Sequence, residues 1–308
     1  MTQAVTTFPT TTAVLGCGVI GSSWVTAFHA AHHPVRVWDP DLARAANVAN
    51  GLEAVTLCET AEEAVQGAHF IQENGPEDLA IKRDLFTRLG PSLESTAVIA
   101  SSTSTLQASA IQAGLPRADR ILVGHPFNPP HIIPLVEVVG GSATAEWAID
   151  LAMPFYAALG KHPIRLRLER SGHLANRLQA ALWREAVDAV ASGQASVADV
   201  DAAVTLALGP RWALTGPYAT FALGGGEGGL AHFLKHLGGL FETLWDDARR
   251  PEMTEALIKK LVEDVARELD GSRLRHNRSA REQRLRQILA IAGRGWGASL
   301  EKLEQAEP

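Results

Sequence analysis

The sequence predicts an α/β protein: an N-terminal domain built on a doubly wound parallel sheet, followed by an all-helical C-terminal domain. In the first half, short apolar runs rich in β-branched residues alternate with longer stretches of helical spacing. This alternation is typical of a parallel sheet covered by helices on both faces. From about Leu174 onward only the helical pattern remains, so we expect domains at residues 1–170 and 171–308.

The individual elements of the first domain follow from these apolar runs. The predicted strands are Ala13–Leu15, Val35–Trp38, Phe70–Gln72, Ala97–Ala100, Ile121–Val123, Leu135–Val139 and Ile164–Leu168. A helix is predicted over Ala143–Leu159, where Gly160 ends it. In the second half, Ser196 and Asp199 have the spacing that begins a helix.

Composition and charge exclude several classes of protein. The chain has 308 residues, is 46% hydrophobic and carries a net charge of -6, which argues against a nucleic-acid partner. Cys17 and Cys58 have no metal-ligand spacing, so we expect no metal site. The first ten residues lack the layout of a secretory signal, and no apolar run is long enough to cross a membrane. We therefore expect a cytoplasmic protein with a short, mobile N-terminal tail.

A glycine-rich turn follows the first predicted strand. Gly16, Gly18 and Gly21 stand in G-x-G-x-x-G order between an apolar strand and a stretch of helical spacing. The first glycine permits a tight turn, the second lets a pyrophosphate approach the backbone, and the third lets the helix pack on the strand. The N–H groups and partial positive charge of the helix N-terminus favour phosphate. We expect a Rossmann-type dinucleotide site that includes Val19 and Ile20 within the motif.

The second predicted strand ends in an acid that bears on the choice of dinucleotide. Asp39 follows VRVW, where a carboxylate can accept hydrogen bonds from the adenosine ribose and would repel a 2′-phosphate. This favours NAD over NADP as the cofactor. Arg44 keeps NADP open, and FAD is compatible with these features alone. Asp39 could also merely cap the next helix, but the glycine turn, the strand and the acid together favour a dinucleotide.

Four segments, in order along the chain, resemble the L-3-hydroxyacyl-CoA dehydrogenase family. They are the glycine turn, ASSTSTLQ at 100–107, GHPFNPPHIIPLVEVV at 124–139 and GHLANRLQ at 172–179. Within this family, HPFNPPHIIPLVEVV and RWALTGPYATFALGGGEGGLAHFL are most similar to the carnitine 3-dehydrogenase branch. The L-gulonate 3-dehydrogenase (lambda-crystallin) branch is close to it. The resemblance spans nearly the whole chain and implies NAD-dependent oxidation of a 3-hydroxy group.

The resemblance also implies roles for particular side chains. His125 matches the family's catalytic histidine, and Glu137 matches the carboxylate that pairs with it. Ser104 matches a hydroxyl near the substrate oxygen, and Asn176 matches an asparagine at the active-site edge of the helical domain. Each of Ser104, Asn176 and His125, taken alone, could be a structural residue. Their common order with Glu137 and the glycine turn favours catalysis.

Five further residues near these motifs are less determined. Glu77 and Lys82 match positions close to cofactor and substrate, although they could be an ordinary first-turn acid and a solvated helix lysine. Asn128 is expected to shape its loop, with a substrate or cofactor contact equally open, and His131 has no catalytic counterpart in the family. His173 stands where the wider family tends to have phenylalanine, so its role is open.

The chemistry of alcohol oxidation requires residues of these types. A hydride leaves carbon for the nicotinamide and a proton leaves oxygen, so the protein must supply a base. Histidine is the natural base near neutral pH. A carboxylate at its other ring nitrogen fixes the tautomer and stabilises the imidazolium that forms. His125 and Glu137 fit these two roles.

Aromatic residues of the helical half bear on the substrate. Carnitine carries a trimethylammonium group, which aromatic faces attract by about 0.5 to 2 kcal/mol per ring. The candidates are Trp183, Trp212, Tyr218 and Phe221, and Arg211 could hold a carboxylate. Each aromatic residue could instead pack in the core. We expect oxidation of L-carnitine to 3-dehydrocarnitine, with a short-chain 3-hydroxyacyl-CoA or L-gulonate as alternative substrates.

A role without catalysis has to be weighed as well, because lambda-crystallin uses this scaffold as an abundant structural protein. Such a role predicts the loss of a site residue, yet all four matched side chains are present. The family also pairs its subunits through the helical domain. We therefore expect an enzyme that forms a homodimer.

Overall fold

The computed structural model describes residues 11–269 and 278–296. The predicted N-terminal tail, residues 1–10, lies outside the described residues. The chain divides into two compact units, of which the first ends at Arg177 and the second begins at Leu178. The domain boundary expected at residues 170–171 stays a prediction.

The first unit alternates strands and helices. Its strands are β1 (Thr12–Leu15), β2 (Val35–Trp38), β3 (Val55–Leu57), β4 (Phe70–Glu73), β5 (Val98–Ser101), β6 (Ile121–Pro126), β7 (Leu135–Gly140) and β8 (His162–Arg165). Its helices are α1 (Val19–Ala30), α2 (Leu42–Ala49), α3 (Ala61–Val65), α4 (Leu79–Leu89), α5 (Ala108–Gln112) and α6 (Glu146–Ala158). The predicted α/β fold class is confirmed.

The strands form one 8-stranded sheet in the order β3-β2-β1-β4-β5-β6-β7-β8. Neighbouring strands run parallel except β6 and β7, which run antiparallel. All seven predicted strands form, although the last begins at His162 rather than Ile164. The sequence analysis missed β3, since this strand has only three residues and two of them are exposed.

Two apolar layers cover the two faces of this sheet. Successive side chains of a strand point to opposite faces. Accordingly Val14 belongs to one buried cluster, with Trp24 and Phe155, while Ala13 and Leu15 belong to the other. Burying a large aliphatic or aromatic side chain contributes about 1.5 to 3 kcal/mol. These layers hold the carboxyl ends of β1, β4 and β5 at one edge of the sheet.

The second unit consists of helices joined by short connections, with no strand among its described residues. Helix α7 (Ala175–Ala191) contains the boundary between the units, and α8 (Val197–Ala203), α9 (Gly209–Gly224), α10 (Gly229–Asp247), α11 (Glu255–Glu268) and α12 (Arg278–Trp296) follow. Ser196 and Asp199 form the predicted reciprocal cap at the start of α8. Gly216 (φ 67°) kinks α9 just before Pro217. Among the described helices, none combines the length and the apolarity needed to cross a membrane.

Candidate active site

The glycine turn lies between β1 and α1 and leaves no room for larger residues. Gly16 has φ +87°, and a Cβ there would lie 2.8 Å from the carbonyl oxygen of Asn74. A Cβ on Gly21 would lie 1.7 Å from the carbonyl oxygen of Gly16. Only glycine allows both the turn and the close packing of α1 against it. The turn is therefore as tight as the motif predicts.

The N-terminus of α1 presents its N–H groups to open space. Gly18 occupies the N-cap position, and no side chain caps the helix. A Cβ on Gly18 would meet nothing within 4 Å, Val19 is exposed, and Ile20 packs partly against the core. Uncapped N–H groups at a helix N-terminus attract phosphate. The open space above Gly18 fits the pyrophosphate of a dinucleotide.

Asp39 lies beneath this turn at the end of β2. Its Oδ2 accepts a hydrogen bond from the Cys17 amide at 2.7 Å, and its Oδ1 accepts one from the Asp41 amide at 2.8 Å. Arg44 donates to Oδ1 at 3.4 Å and lies 3.3 Å from Asp41. The arginine therefore pairs with two carboxylates, and a carboxylate stands where the ribose is expected. These residues fit NAD.

The antiparallel pairing of β6 with β7 brings His125 and Glu137 together. The two residues lie directly opposite in the register, and opposite side chains of an antiparallel pair share one face. His125 Nδ1 lies 2.9 Å from Glu137 Oε2, and both side chains are buried. Among the described residues, His125 Nε2 has no hydrogen-bond partner. The pair thus leaves one imidazole nitrogen for a ligand.

The second oxygen of Glu137 accepts the first amides of α7. Leu174 and Ala175 donate their N–H groups to Oε1 at 3.0 and 2.8 Å. Burial raises the pKa of this carboxyl, but the hydrogen bonds from His125 and from the two amides outweigh burial, so its pKa lies below the usual range. Glu137 therefore stays ionised and links the His125 ring to the start of α7.

Ser104, in the loop that follows β5, contacts both Glu77 and Asn176. Glu77 Oε1 accepts hydrogen bonds from the Ser104 amide at 3.1 Å and from the Thr103 hydroxyl at 2.7 Å, and Thr105 donates its amide and hydroxyl to the same oxygen. Asn176 Nδ2 lies 3.5 Å from the Ser104 carbonyl oxygen. Burial raises the pKa of Glu77, but the hydrogen bonds from Thr105 and Thr103 outweigh burial. The pKa of Glu77 therefore lies below its usual value.

Lys82 is buried in an ion pair that the sequence analysis missed. Lys82 Nζ lies 2.7 Å from Glu73 Oε1, and each side chain is 1% exposed. Ser101 donates to Glu73 Oε2 at 2.6 Å, and Gly75 donates its amide to Oε1. The acid that ends the apolar run FIQE was the signal available in the sequence. Lys82 supports the chain turn after β4, and its expected proximity to the cofactor stays a prediction.

A second missed group fixes the backbone just before His125. Tyr156 donates its hydroxyl to Gln72 Oε1 at 2.6 Å, and Gln72 Nε2 donates to the Gly124 carbonyl at 3.3 Å. A Cβ on Gly124 would lie 2.0 Å from the Tyr156 hydroxyl. Neither the tyrosine nor the glutamine belongs to a recognisable motif, so only their packing reveals this role.

The loop between β6 and β7 is anchored to α1. His131 Nδ1 lies 2.6 Å from the Ser23 hydroxyl, and the His131 amide donates to the same oxygen at 3.0 Å. Lys161 donates to the carbonyl oxygen of Pro130. His131 therefore links this loop to α1.

The predicted substrate residues of the helical half belong to the second unit. Phe221 packs against Phe233 and Phe241 at centroid distances of 4.7 and 5.3 Å. Tyr218 is 80% exposed. Arg211 donates to the Ala207 carbonyl. Trp183 is exposed and Trp212 is half-buried, and a contact of any of these residues with substrate stays a prediction.

Comparison with known proteins assigns the family. The sequence profile of the 3-hydroxyacyl-CoA dehydrogenase NAD binding domain matches residues 41–169, and that of the C-terminal domain matches residues 172–264. An L-carnitine dehydrogenase from Streptomyces griseus is 42% identical over 300 residues, which cover 92% of this chain and 90% of the relative. An L-carnitine dehydrogenase from Pseudomonas aeruginosa is 41% identical, covering 85% of this chain and 87% of the relative.

Solved structures share the fold at lower identity. A 3-hydroxyacyl-CoA dehydrogenase from Archaeoglobus fulgidus has a TM-score of 0.68 at 22% identity and covers 92% of this chain and 99% of its own. An NAD+-dependent dismutase, 5-formyl-3-hydroxy-2-methylpyridine 4-carboxylic acid (FHMPC) 5-dehydrogenase, has a TM-score of 0.77 at 23% identity. The match covers 94% of this chain and 99% of that protein. The expectations of family and of NAD as cofactor are confirmed. The chain belongs to the 3-hydroxyacyl-CoA dehydrogenase family and is an NAD-dependent dehydrogenase that acts on a CH–OH group.

Proposed function

We propose that this protein oxidises the 3-hydroxy group of L-carnitine to 3-dehydrocarnitine with NAD+. The observation that carries the chemistry is the buried His125–Glu137 pair, in which Nδ1 is engaged and Nε2 is left for the substrate. The identity of 42% to an L-carnitine dehydrogenase over nine-tenths of both chains supports the choice of substrate.

His125 acts as the general base. Its Nε2 takes the proton of the substrate hydroxyl while the hydride leaves the carbon that carries this hydroxyl. The products are the ketone, reduced cofactor and a protonated imidazole. The ionised Glu137 stabilises that imidazolium and keeps the proton of the resting ring on Nδ1. Proton transfer by a positioned base contributes about 10² to 10⁴-fold in rate.

Ser104 and Asn176 orient the substrate oxygen. The Ser104 backbone is held by Glu77 at 3.1 Å and the Asn176 amide lies 3.5 Å from the Ser104 carbonyl, so the two side chains share one neighbourhood. A hydrogen bond to the oxygen aligns it with the base and supports the carbonyl that develops. Glu77 is then a residue that holds this loop and lies close to the cofactor.

The glycine turn holds the cofactor's pyrophosphate at the start of α1 through Gly16, Gly18, Val19, Ile20 and Gly21. Asp39 holds the ribose of the cofactor. NAD+ supplies the hydride acceptor. Asp39 is the feature that disfavours NADP, since its charge repels a 2′-phosphate and Arg44 is already paired with it.

The trimethylammonium group of carnitine would be held by aromatic faces of the helical unit. Trp183, Trp212, Tyr218 and Phe221 are the candidates, and Arg211 is the candidate for the carboxylate. Exposure of Trp183 and Tyr218 supports a role outside the core. We also propose a cytoplasmic homodimer that pairs through its helical units.

The test is a substrate panel with purified protein. NAD+ is supplied with L-carnitine, L-gulonate or L-3-hydroxybutyryl-CoA, and NADH formation is followed by absorbance. We expect kcat/KM to be highest with L-carnitine and NADP+ to replace NAD+ poorly. A strong response to the CoA thioester alone would overturn the substrate, while leaving the family intact.

A further inference from the structure

His173 is a buried histidine without an assigned role. It is 4% exposed and has φ 49°, directly after Gly172 with φ 77°. A left-handed backbone conformation is uncommon for residues other than glycine and is retained where the surrounding structure demands it. Here the His173 amide donates to the Arg170 carbonyl and closes a turn. This turn directs the chain into α7.

The hydrogen bond of the His173 ring defines its tautomer. His173 Nε2 lies 3.0 Å from the Thr103 carbonyl oxygen. A carbonyl can only accept, so Nε2 carries the hydrogen. His173 Nδ1 is buried and has no hydrogen-bond partner among the described residues. A protonated ring would place an unpaired N–H donor there, which is unfavourable in a buried position. The ring is therefore suited to be neutral.

His173 lies between the His125–Glu137 pair and the loop that carries Ser104. Its ring centroid lies 5.0 Å from that of His125. The carbonyl that it holds belongs to Thr103, the residue before Ser104. The two residues after it, Leu174 and Ala175, donate their amides to Glu137.

We propose that His173 is a positioning residue: its neutral imidazole, which lies beside the His125 ring, holds the Thr103 carbonyl and through it the chain that carries the Ser104 side chain. The proposal rests on the proposed function, in which Ser104 orients the substrate oxygen. His173 acts through Ser104 and does not exchange a proton with the substrate.

The charges around His173 agree with a neutral ring. Burial lowers the pKa of His173, and the positive form of His125 lowers it further. The Thr103 carbonyl, Glu137 and Glu77 raise it, but burial is the largest effect, so the pKa of His173 lies below its usual value. The ring is therefore neutral near pH 7 and takes up a proton only on acidification. Protonation would then put a second positive charge beside the base.

Two substitutions separate the hydrogen bond from the ring shape. In His173→Gln, the side-chain amide can donate from the position of Nε2 and cannot titrate. In His173→Phe, the ring is kept and the donor is lost. His69 offers a matched control. Its Nδ1 is also buried and has no hydrogen-bond partner in the part of the chain that the structure describes, while the residue lies just before the amino end of β4.

We expect His173→Phe to lower kcat by roughly ten- to a hundredfold, since a displacement of about 1 Å in a reacting group can cost 10²-fold. KM for L-carnitine and NAD+ affinity, measured by fluorescence titration, should stay within about threefold. His173→Gln should restore most of kcat, and His69→Phe should leave kcat unchanged. On acidification, log kcat/KM should fall more steeply in the parent than in His173→Gln.

Wild-type kcat in His173→Phe, or equal losses in the Phe and Gln variants, would overturn the positioning role. An acid limb of the same slope in parent and His173→Gln would overturn the neutral-ring requirement. Failure of the proposed function is distinguishable from both results, because the parent protein itself would then not oxidise L-carnitine. In that event the same variants are compared with whichever 3-hydroxy compound of the panel the parent oxidises.

Discussion

Side chains twelve positions apart become an acid–base unit because two strands run antiparallel at one point of an otherwise parallel sheet. The paired carboxylate also stabilises the start of α7, since its other oxygen accepts hydrogen bonds from the Leu174 and Ala175 amides. A shift of the helix start would therefore also shift the orientation of the His125 ring. Chemistry and local stability depend on the same group, Glu137.

Replacing His125 with Gln removes the base and keeps a side chain of similar polarity. We expect kcat to fall by about 10² to 10⁴-fold, because proton transfer is lost. NADH binding, followed by nicotinamide fluorescence, should be retained. His162→Gln is the control, since His162 is an exposed histidine of β8 and should leave kcat unaltered. Turnover of His125→Gln within a few-fold of the parent would remove His125 from the mechanism.

Glu137→Gln tests the carboxylate through its pH dependence. The folded pKa of Glu137 lies below its usual value, so its charge stabilises the folded state above the unfolded pKa, near 4.5. This contribution is lost as the pH falls through the folded pKa. We expect the parent to have the higher Tm at pH 7 and the difference to shrink below about pH 4. A Tm difference that does not vary with pH would show that the charge is not responsible.

At the scale of elements, the residues of the candidate site lie at the carboxyl ends of parallel strands. The glycine turn follows β1, Glu73 ends β4, and the Ser104 loop follows β5. Ligands of open α/β sheets bind outside the carboxyl ends of the strands, where the strand order reverses. Here β1 lies between β2 and β4, which places the reversal beside the glycine turn.

Two glycines of the same turn should respond differently to alanine. A Cβ at Gly18 meets nothing within 4 Å, so Gly18→Ala should fold with the parental Tm but bind NAD+ roughly tenfold more weakly, since the methyl group occupies the phosphate's space. A Cβ at Gly21 lies 1.7 Å from a backbone oxygen, so Gly21→Ala should lose about 1 to 3 kcal/mol of stability or more. Isothermal titration and thermal unfolding measure the two effects. Equal affinities of parent and Gly18→Ala would place the pyrophosphate elsewhere.

The buried Lys82–Glu73 pair should behave as a unit. Lys82→Met leaves the Glu73 carboxylate buried and unpaired, and breaking such a pair costs about 3 to 5 kcal/mol. The double substitution Glu73→Gln with Lys82→Met should recover part of that loss, because no uncompensated charge remains. Denaturant unfolding of the two variants measures the difference. Full NAD+ affinity in the folded double variant would contradict the expectation that Lys82 lies close to the cofactor.

At the scale of the whole molecule, the second unit carries an unusual amount of exposed apolar surface. Its exposed large hydrophobic residues include Trp183, Leu206, Tyr218, Leu223, Leu234, Leu240, Leu244 and Trp245. Exposed apolar side chains mark an interaction surface where they form a contiguous patch, and most soluble oligomers are symmetric dimers.

We expect the protein to be a homodimer at micromolar concentration. Light scattering coupled to gel filtration should then give twice the mass of the 32.9 kDa chain. Leu240→Glu, on α10, should shift the mass toward one chain if that face is covered by the partner. Elution of the parent at the mass of a single chain would rule the dimer out.

Much of this protein could be predicted from local patterns. The strands β1, β2 and β4 to β8 follow from apolar runs, and the glycine turn follows from its spacing. The edge strand β3 could not be predicted, because an exposed three-residue strand has no apolar pattern. The roles of Glu73, Tyr156 and His173 were also missed, since each depends on a partner distant in sequence.

The sequence by itself determined the fold class and the dinucleotide turn, because strand periodicity and glycine spacing are local properties of the chain. The pairing of His125 with Glu137 was implied by the resemblance to the L-3-hydroxyacyl-CoA dehydrogenase family. Only the tertiary structure decided that Lys82 is held by Glu73, that Glu137 also caps α7, and that the His173 ring holds the Thr103 carbonyl. That last contact joins residues 70 positions apart. The packing of helices against the sheet brings such residues together, and no local pattern encodes that distance.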